Sequence, residues 1–372
     1  MVFFSNLAFN FVFSASLNQL WAMVNTQQLI VLMPLFRVNI PANAGSLFAQ
    51  IMQIAAFEII EIGEFLDELL GIPSTSPMNK NFAAIGLDSI YLLNNMGTLS
   101  IAYILLLLLS LFTISLKAFG KLNKWIYWVH VQLKEALFYR PLISLFFESY
   151  SLLTVCGLIN MTKLSFESLG MRLHTITCLV VLVCIFLIPA LMLRYLVKNF
   201  NRLNDRIIKR KYGKMYDELN IRGSKVVLVQ PFFFLLRRLM LAVAIVNMQK
   251  VLIWQIMVMS SQIVASVIII GNVRPYKLSQ TRKVETLNEV LLMFVMYTIL
   301  CFSPFVPDVQ VRFSIGYICV GAILSHLAVN FVIIGIQTYQ EMRMKWIKRF
   351  AKRTYKKNRL LHKQKIKKQH PL

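Results

Sequence analysis

The chain has 372 residues, of which 57% are apolar and only 15% are charged, and its formal net charge is +24. Because soluble domains carry about 25% charged residues, this composition excludes an ordinary soluble globule and indicates a multi-pass membrane protein. The basic residues lie in loops between apolar runs, which is the pattern of segments retained on the cytoplasmic side of a membrane. Nucleic acid is therefore not an expected partner.

The amino-terminal part is predicted to contain three segments. Residues 1–19 are apolar but interspersed with Asn and Ser, and we interpret them as an interfacial segment. Residues 20–36 form the first predicted span, although it contains polar residues such as Gln27 and Gln28. Residues 37–95 have no long apolar run and carry more acidic than basic residues, which predicts a segment on the outer side of the membrane.

Four glutamates in the outer segment recur at helical spacing, which places their carboxylates on one face of an amphipathic helix. One interpretation is a face that attracts cations at the mouth of a pore. The other is a solvated face of an interfacial helix, because oxygen-ligand sites usually need loop geometry. The four residues are Glu58, Glu61, Glu64 and Glu68.

Seven further apolar runs have the length of about 20 residues that a bilayer requires. The fourth of these runs is the least regular because two arginines interrupt it. Together with residues 20–36, the runs predict an all-α transmembrane bundle of about eight spans. They comprise residues 96–116, 142–161, 175–196, 226–246, 251–273, 287–306 and 314–336.

The distribution of basic residues predicts the orientation of these spans. The loop of residues 197–225 is strongly basic, so it is expected on the cytoplasmic side. With a cytoplasmic amino terminus, the segments predicted inside contain 32 of the 40 Lys and Arg residues, and those predicted outside contain six. This asymmetry predicts eight spans with both termini in the cytoplasm, in the plasma membrane or an endomembrane.

Arg237 and Arg238 lie midway along the predicted span 226–246, where an unpaired charge costs about 3 kcal/mol. Three explanations are open. A voltage sensor would need bases at every third residue, whereas this chain has one adjacent pair. An ion pair with Glu148, which lies inside another apolar run, would compensate one charge. A helix bent at Pro231 would leave both arginines near the cytoplasmic headgroups, and this third explanation is the one we favour.

No sequence motif indicates an enzyme. The chain lacks a Gly-rich phosphate loop, a zinc-protease motif, a serine-hydrolase elbow and a His, Asp or Glu cluster at metal-binding spacing. We therefore expect no catalytic residues, no metal site and no cofactor.

The carboxy-terminal segment 337–372 is rich in Lys and Arg and is threaded with apolar residues. Trp346, Ile347 and Phe350 share one helical face, with Lys352 and Arg353 nearby, which predicts a basic amphipathic helix. Anionic lipids of the inner leaflet are the expected partner, and calmodulin is a second candidate. A solvated tail that only helps to fix the topology is equally compatible with the pattern.

Three short motifs resemble the transient-receptor-potential-like (TRP-like) membrane domain of fungal flavin-carrier and polycystin-like proteins and of ciliate cysteine-rich surface proteins. The first is an aromatic-Gly stretch in the central loop, the second an aromatic span with paired arginines, and the third an Arg-Pro-Tyr segment before an acidic helix start. They correspond to residues 212–218, to Pro231, Phe232, Arg237 and Arg238, and to Arg274, Pro275, Tyr276, Glu285, Asn288 and Glu289.

The resemblance covers most of residues 20–336 and implies a cation-channel-like or calcium-linked membrane protein. It implies that Arg237 and Arg238 form a gating or structural pair, and that the third motif forms a cytoplasmic coupling elbow. However, only residues 307–313 separate the last two predicted spans, too few for a pore helix and filter. The alternatives are a non-conducting anchor or receptor subunit that assembles with an ectodomain-bearing partner or with copies of itself, and a lipid or small-solute transporter.

Overall fold

The computed structural model describes residues 16–55, 68, 76–119 and 123–369. Within this part of the chain the regular secondary structure is helical, apart from one isolated bridge between Leu219 and Tyr276. The described residues form a larger unit, Val24–Leu324, and a smaller one that contains those up to Met23 and those from Ser325 on. The all-α prediction is confirmed.

Seven helical segments in the described part are long and apolar enough to cross a membrane, and each one contains or overlaps one of the seven later predicted spans. The chain is therefore a multi-helical integral membrane protein. The long helices are α5 (Thr98–Phe119), α7 (Arg140–Met161), α8 (Leu169–Lys198), α10 (Val229–Asn247), α11 (Leu252–Ile268), α12 (Ser279–Cys301) and α13 (Val309–Gln369).

Shorter helices precede or connect these segments. The connecting helix Lys124–Leu137 was not expected, and it begins where the Asn123 side chain accepts a hydrogen bond from the Trp125 backbone N–H. These helices are α1 (Ser16–Leu32), α2 (Ala42–Ala55), α3 (Lys80–Ala83), α4 (Leu92–Asn95), α6 (Lys124–Leu137) and α9 (Arg206–Tyr212).

The first predicted span, residues 20–36, is the one that is not among the seven candidates. It forms the 17-residue helix α1 followed by a 3₁₀ turn, Met33–Leu35. Eight spans with two cytoplasmic termini therefore remain a prediction.

Helix α7 is the central helix of the larger unit, because every residue from Glu148 to Asn160 is buried. It packs against α8 on one side and α10 on another, and α11 joins α10 to α12. By contrast, most of α5 is exposed, as expected for a helix that faces lipid. A polar group on α7 is thus held inside protein rather than against lipid.

Loops that are predicted on the outer side lie together at one end of α10. Arg37 Nη1 donates to the Lys250 carbonyl at 2.9 Å, and Asn79 Nδ2 donates to Gln249 Oε1 at 3.0 Å. At the opposite end of α10, Gln230 Nε2 donates to the Tyr276 hydroxyl at 3.0 Å. Two of the predicted outer loops thus lie at the end of α10 opposite to the segment that holds Tyr276.

Helix α13 does not end with the predicted span at residue 336 but runs without interruption from Val309 to Gln369. The predicted helix in the tail is thus present, as a continuation of the last span. Trp346 and Phe350 are both exposed, and their ring centroids are 5.8 Å apart. This exposed aromatic face is compatible with the predicted binding to lipid headgroups.

Candidate functional site

A buried ion pair joins α10 to α12. Arg237 Nη1 and Nη2 contact Glu289 Oε1 and Oε2 at 2.5 and 2.9 Å, an arrangement with two parallel charge-assisted bonds. Ser266 Oγ on α11 donates to Glu289 Oε1 at 2.8 Å. Both charged side chains are less than 10% exposed. The Glu289 carboxylate thus links α10, α11 and α12. We call Arg237, Glu289 and Ser266 the interhelical lock.

Arg238 is equally buried but is compensated differently. Its guanidinium lies 3.6 Å from the centroid of the Phe234 ring, which provides a cation–π contact. Its Nη2 donates to Asn25 Oδ1 at 3.2 Å, and its Nη1 donates to the Phe234 carbonyl at 3.3 Å. Among the described residues no carboxylate lies within ion-pair distance of Arg238, although Glu285 and Glu289 act on it electrostatically.

The favoured explanation for the two arginines was wrong, and so was the ion pair with Glu148. Both guanidinium groups are buried, so they do not reach solvated headgroups. The partner of Arg237 is Glu289, while the Glu148 carboxylate accepts a hydrogen bond from Ser144 Oγ at 2.5 Å. Glu289 was assigned to the cytoplasmic elbow from the resemblance to TRP-like domains, in which an acidic helix start follows the Arg-Pro-Tyr segment. Helix α12 in fact begins at Ser279, so Glu289 lies well inside it.

The predicted coupling elbow begins directly after α11 with a sharp change in chain direction. A π-helical turn, Ile269–Val273, is followed by Arg274 in the left-handed region with φ of 48°. This conformation is uncommon for a residue other than glycine, and it reverses the chain toward α12. The Pro275 carbonyl then accepts a hydrogen bond from the Asn220 backbone N–H at 2.7 Å.

The elbow is hydrogen-bonded to the basic central loop. The Lys277 backbone N–H donates to the Glu218 carbonyl at 2.9 Å, next to the bridge between Leu219 and Tyr276. The Lys277 ammonium also donates to the Asp217 carbonyl, and the Asp217 carboxylate forms an ion pair with Arg140 at the start of α7. The central loop thus joins the starts of α7 and α12.

The glycine of the first motif, Gly213, lies against the ion pair between Arg140 and Asp217, so a side chain at this position would contact that pair. A Cβ atom at Gly213 would lie 2.8 Å from both Arg140 Nη2 and Asp217 Oδ2. Real Cβ atoms essentially never have such close contacts, so a side chain at this position would make the Arg140 and Asp217 side chains shift.

Burial at the elbow shifts the pKa values of several ionisable groups away from their ordinary values. Desolvation raises the pKa of the Tyr276 hydroxyl well above its usual range and raises that of Tyr216 to about 12. It also raises the pKa of Glu218 and lowers that of Lys277. Burial here therefore favours the neutral form of both the Glu218 carboxyl and the Lys277 amine.

We expect the Glu218→Gln variant to be more stable than the wild type at neutral pH and equally stable in acid. Because the folded-state pKa of Glu218 lies above its ordinary value of 4.5, both states are protonated below pH 4.5, and folding is relatively disfavoured as pH rises through the folded-state pKa. The measurement is the melting temperature of both proteins in detergent between pH 4 and 8. Parallel curves for the two proteins would contradict the prediction.

The remaining predicted residues are placed as follows. Glu285 lies one helical turn before Glu289, is partly buried and makes no hydrogen bond within the described chain, while Asn288 is buried beside it. Glu68 is exposed. Glu58, Glu61 and Glu64 lie outside the described residues, so the outer acidic face stays a prediction. Lys352 and Arg353 lie within α13, beyond the exposed Trp346, Ile347 and Phe350.

Ser266 and Asn25, which contact the network, were not predicted. Each is a polar residue inside an apolar run, and such residues in membrane helices usually face the bundle interior. That signal marks them as candidates but cannot identify their partners.

No protein-family model, curated protein or solved structure matches this chain.

Proposed function

We propose that this integral membrane protein takes part in the movement of cations across the membrane, or in the regulation of that movement. The observation that carries the proposal is the presence of carboxylates within the spans that lack an ion-pair partner among the described residues. Glu148 is buried on α7, and Glu285 lies partly buried on α12. Ionisable groups inside membrane bundles generally mark ion or proton pathways, and negative charge there favours a cation.

The attachment of the lock to the cytoplasmic elbow supports regulation. Glu289 holds α10 and α11 through Arg237 and Ser266, and the same helix α12 begins just after Lys277, which is bonded to the central loop. Movement of the central loop would therefore act on the start of α12. The resemblance to TRP-like domains, with calcium as one candidate ion, agrees with this role but remains a prediction.

We expect purified protein in liposomes to allow K⁺ or Ca²⁺ flux above that of empty liposomes. Replacing Glu58, Glu61, Glu64 and Glu68 together by glutamine is expected to reduce the flux severalfold, because it removes four negative charges from the predicted outer face. The measurement is ion-sensitive dye fluorescence inside the liposomes under a defined gradient. Glu285→Gln is a second variant, which tests the pathway within the spans independently of the outer face.

Absence of flux from protein that is shown to be folded and inserted would favour a second function, a non-conducting membrane subunit. The connection between α12 and α13 favours this alternative. Only the seven residues 302–308 lie between Cys301 and Val309. Ser303 Oγ accepts from the Phe305 N–H, and Asp308 Oδ1 accepts from the Gln310 N–H, so the connection is a tight turn without a pore helix. Recovery of an ectodomain-bearing partner at fixed stoichiometry would then support the subunit role.

A further inference from the structure

A small cavity lies inside the larger unit, between α1 and α7. Gln28 on α1 and Glu148 and Ser151 on α7 provide its polar lining, and apolar side chains of α1, α2, α5 and α7 line the rest. Each of the three polar residues is more than nine-tenths buried. The cavity has room for about one particle of the size of a water molecule.

Two oxygen atoms at this cavity have no hydrogen-bond partner among the described residues. Gln28 Nε2 donates to the Glu148 carbonyl at 3.0 Å, which fixes the amide, yet Gln28 Oε1 has no partner. Ser151 Oγ is also without a partner. Because buried polar groups in native proteins are nearly always satisfied, two such groups around one cavity indicate that a water molecule or an ion is their partner.

The third polar group is the Glu148 carboxylate, which has one oxygen engaged. Glu148 Oε1 accepts from Ser144 Oγ at 2.5 Å, and no hydrogen bond to Oε2 is present within the described chain. No basic side chain of the described residues lies within ion-pair distance. Lys214 of the central loop and Tyr103 of α5 are the other titratable groups that interact electrostatically with this carboxylate. Three side chains with acceptor oxygens therefore line an otherwise apolar cavity, and no basic side chain of the described residues is in contact with them.

We propose that this cavity binds one small monovalent cation, of the charge and size of Na⁺, between the Glu148 carboxylate, the Gln28 amide oxygen and the Ser151 hydroxyl. Oxygen atoms of these types can replace the hydration shell of a hard cation. One carboxylate balances one positive charge, whereas a divalent ion would leave an uncompensated charge in a low-dielectric interior. The space for one water-sized particle excludes a hydrated ion.

The physiological role of this site rests on the proposed function, because the bound ion would then be the ion that the protein moves. Binding itself is a separate property that can be measured without transport. A protein that binds Na⁺ but gives no flux would retain this site and lose the proposed function. A protein that gives flux without Na⁺-specific binding would retain the function and lose this site.

The test is the melting temperature of the full chain in detergent, titrated with NaCl against N-methyl-D-glucamine chloride at constant ionic strength. We expect Na⁺ to raise the melting temperature of the wild type in a saturable way. Glu148→Gln is expected to abolish the Na⁺-dependent shift, and Ser151→Ala to weaken the apparent affinity at least tenfold. KCl and LiCl titrations measure selectivity by ionic size, and Na⁺ is expected to give the larger shift.

Thr154→Val is the matched control. Thr154 is a fully buried hydroxyl residue on the same helix, but it bonds to the Tyr150 carbonyl and does not line the cavity. We expect this variant to keep the Na⁺ response. A wild type without a Na⁺-specific shift would overturn the proposal, as would an unchanged response in Glu148→Gln. If Glu148→Gln does not fold, an unchanged apparent affinity for Na⁺ in Ser151→Ala would likewise overturn the proposal.

Discussion

Replacing Glu289 by glutamine is expected to lower the free energy of unfolding by about 3–5 kcal/mol, the usual effect of removing one partner of a buried ion pair. The change leaves the Arg237 guanidinium charged, buried and without its two parallel bonds to a carboxylate. It also weakens the bond from Ser266, because an amide oxygen is a poorer acceptor than a carboxylate. The measurement is reversible unfolding in mixed micelles, with helix content followed by circular dichroism.

Glu285→Gln provides a matched control, because Glu285 lies on the same helix one turn earlier and makes no hydrogen bond in the described chain. It is expected to leave the stability unchanged or slightly higher. The double variant Arg237→Glu with Glu289→Arg restores opposite charges and is expected to recover part of the loss. Equal effects of the two single glutamine changes, with no recovery in the exchanged pair, would show that Glu289 does not hold the helices together.

A second large effect is expected at Gly316, where α13 passes closely over the beginning of α2. A Cβ atom there would collide with Asn43 Oδ1 and lie 2.8 Å from Asn43 Cγ. Asn43 cannot move freely, because its Nδ2 donates to the Phe313 carbonyl at 2.9 Å and its Oδ1 accepts from the Ala44 N–H. Gly316→Ala is therefore expected to destabilise the protein by about 1–3 kcal/mol through overpacking.

Gly321 on the same helix supplies the comparison for this change. No atom lies within 4 Å of a Cβ atom placed there, so Gly321→Ala is expected to be neutral or slightly stabilising. The measurement is the melting temperature of the two variants in the same detergent. A melting temperature for Gly316→Ala equal to that of Gly321→Ala would mean that the two helices separate without loss of stability.

The long helices could be predicted from the sequence because each one contains a single continuous run of mainly apolar residues. A span of about 20 apolar residues is a local property, and lipid imposes it on every helix in the same way. Even the run that contains Arg237 and Arg238 was recognised by its length. Helix α6 was not recognised, because its sequence mixes basic and aromatic residues and was assigned to a loop.

The contacts of the candidate site could not be predicted in the same way, since they depend on how distant segments pack. Arg237 and Glu289 are separated by 52 residues, and Gln28 and Glu148 by 120. Glu148 was the more obvious partner for Arg237, because it lies in the middle of an apolar run while Glu289 lies near the edge of one. Hydropathy places an acid at a depth within the membrane but does not say which neighbour it faces.

The long sequence separation within the lock has a consequence for the biogenesis of the protein. At about 5–20 residues per second, Glu289 is synthesised several seconds after Arg237. During this interval α10 carries two charges, each of which costs about 2.5–3.5 kcal/mol at the centre of a bilayer. Until α12 arrives, α10 is therefore a poor candidate for release into lipid on its own. The three helices joined by Arg237, Ser266 and Glu289 are accordingly expected to leave the translocon together.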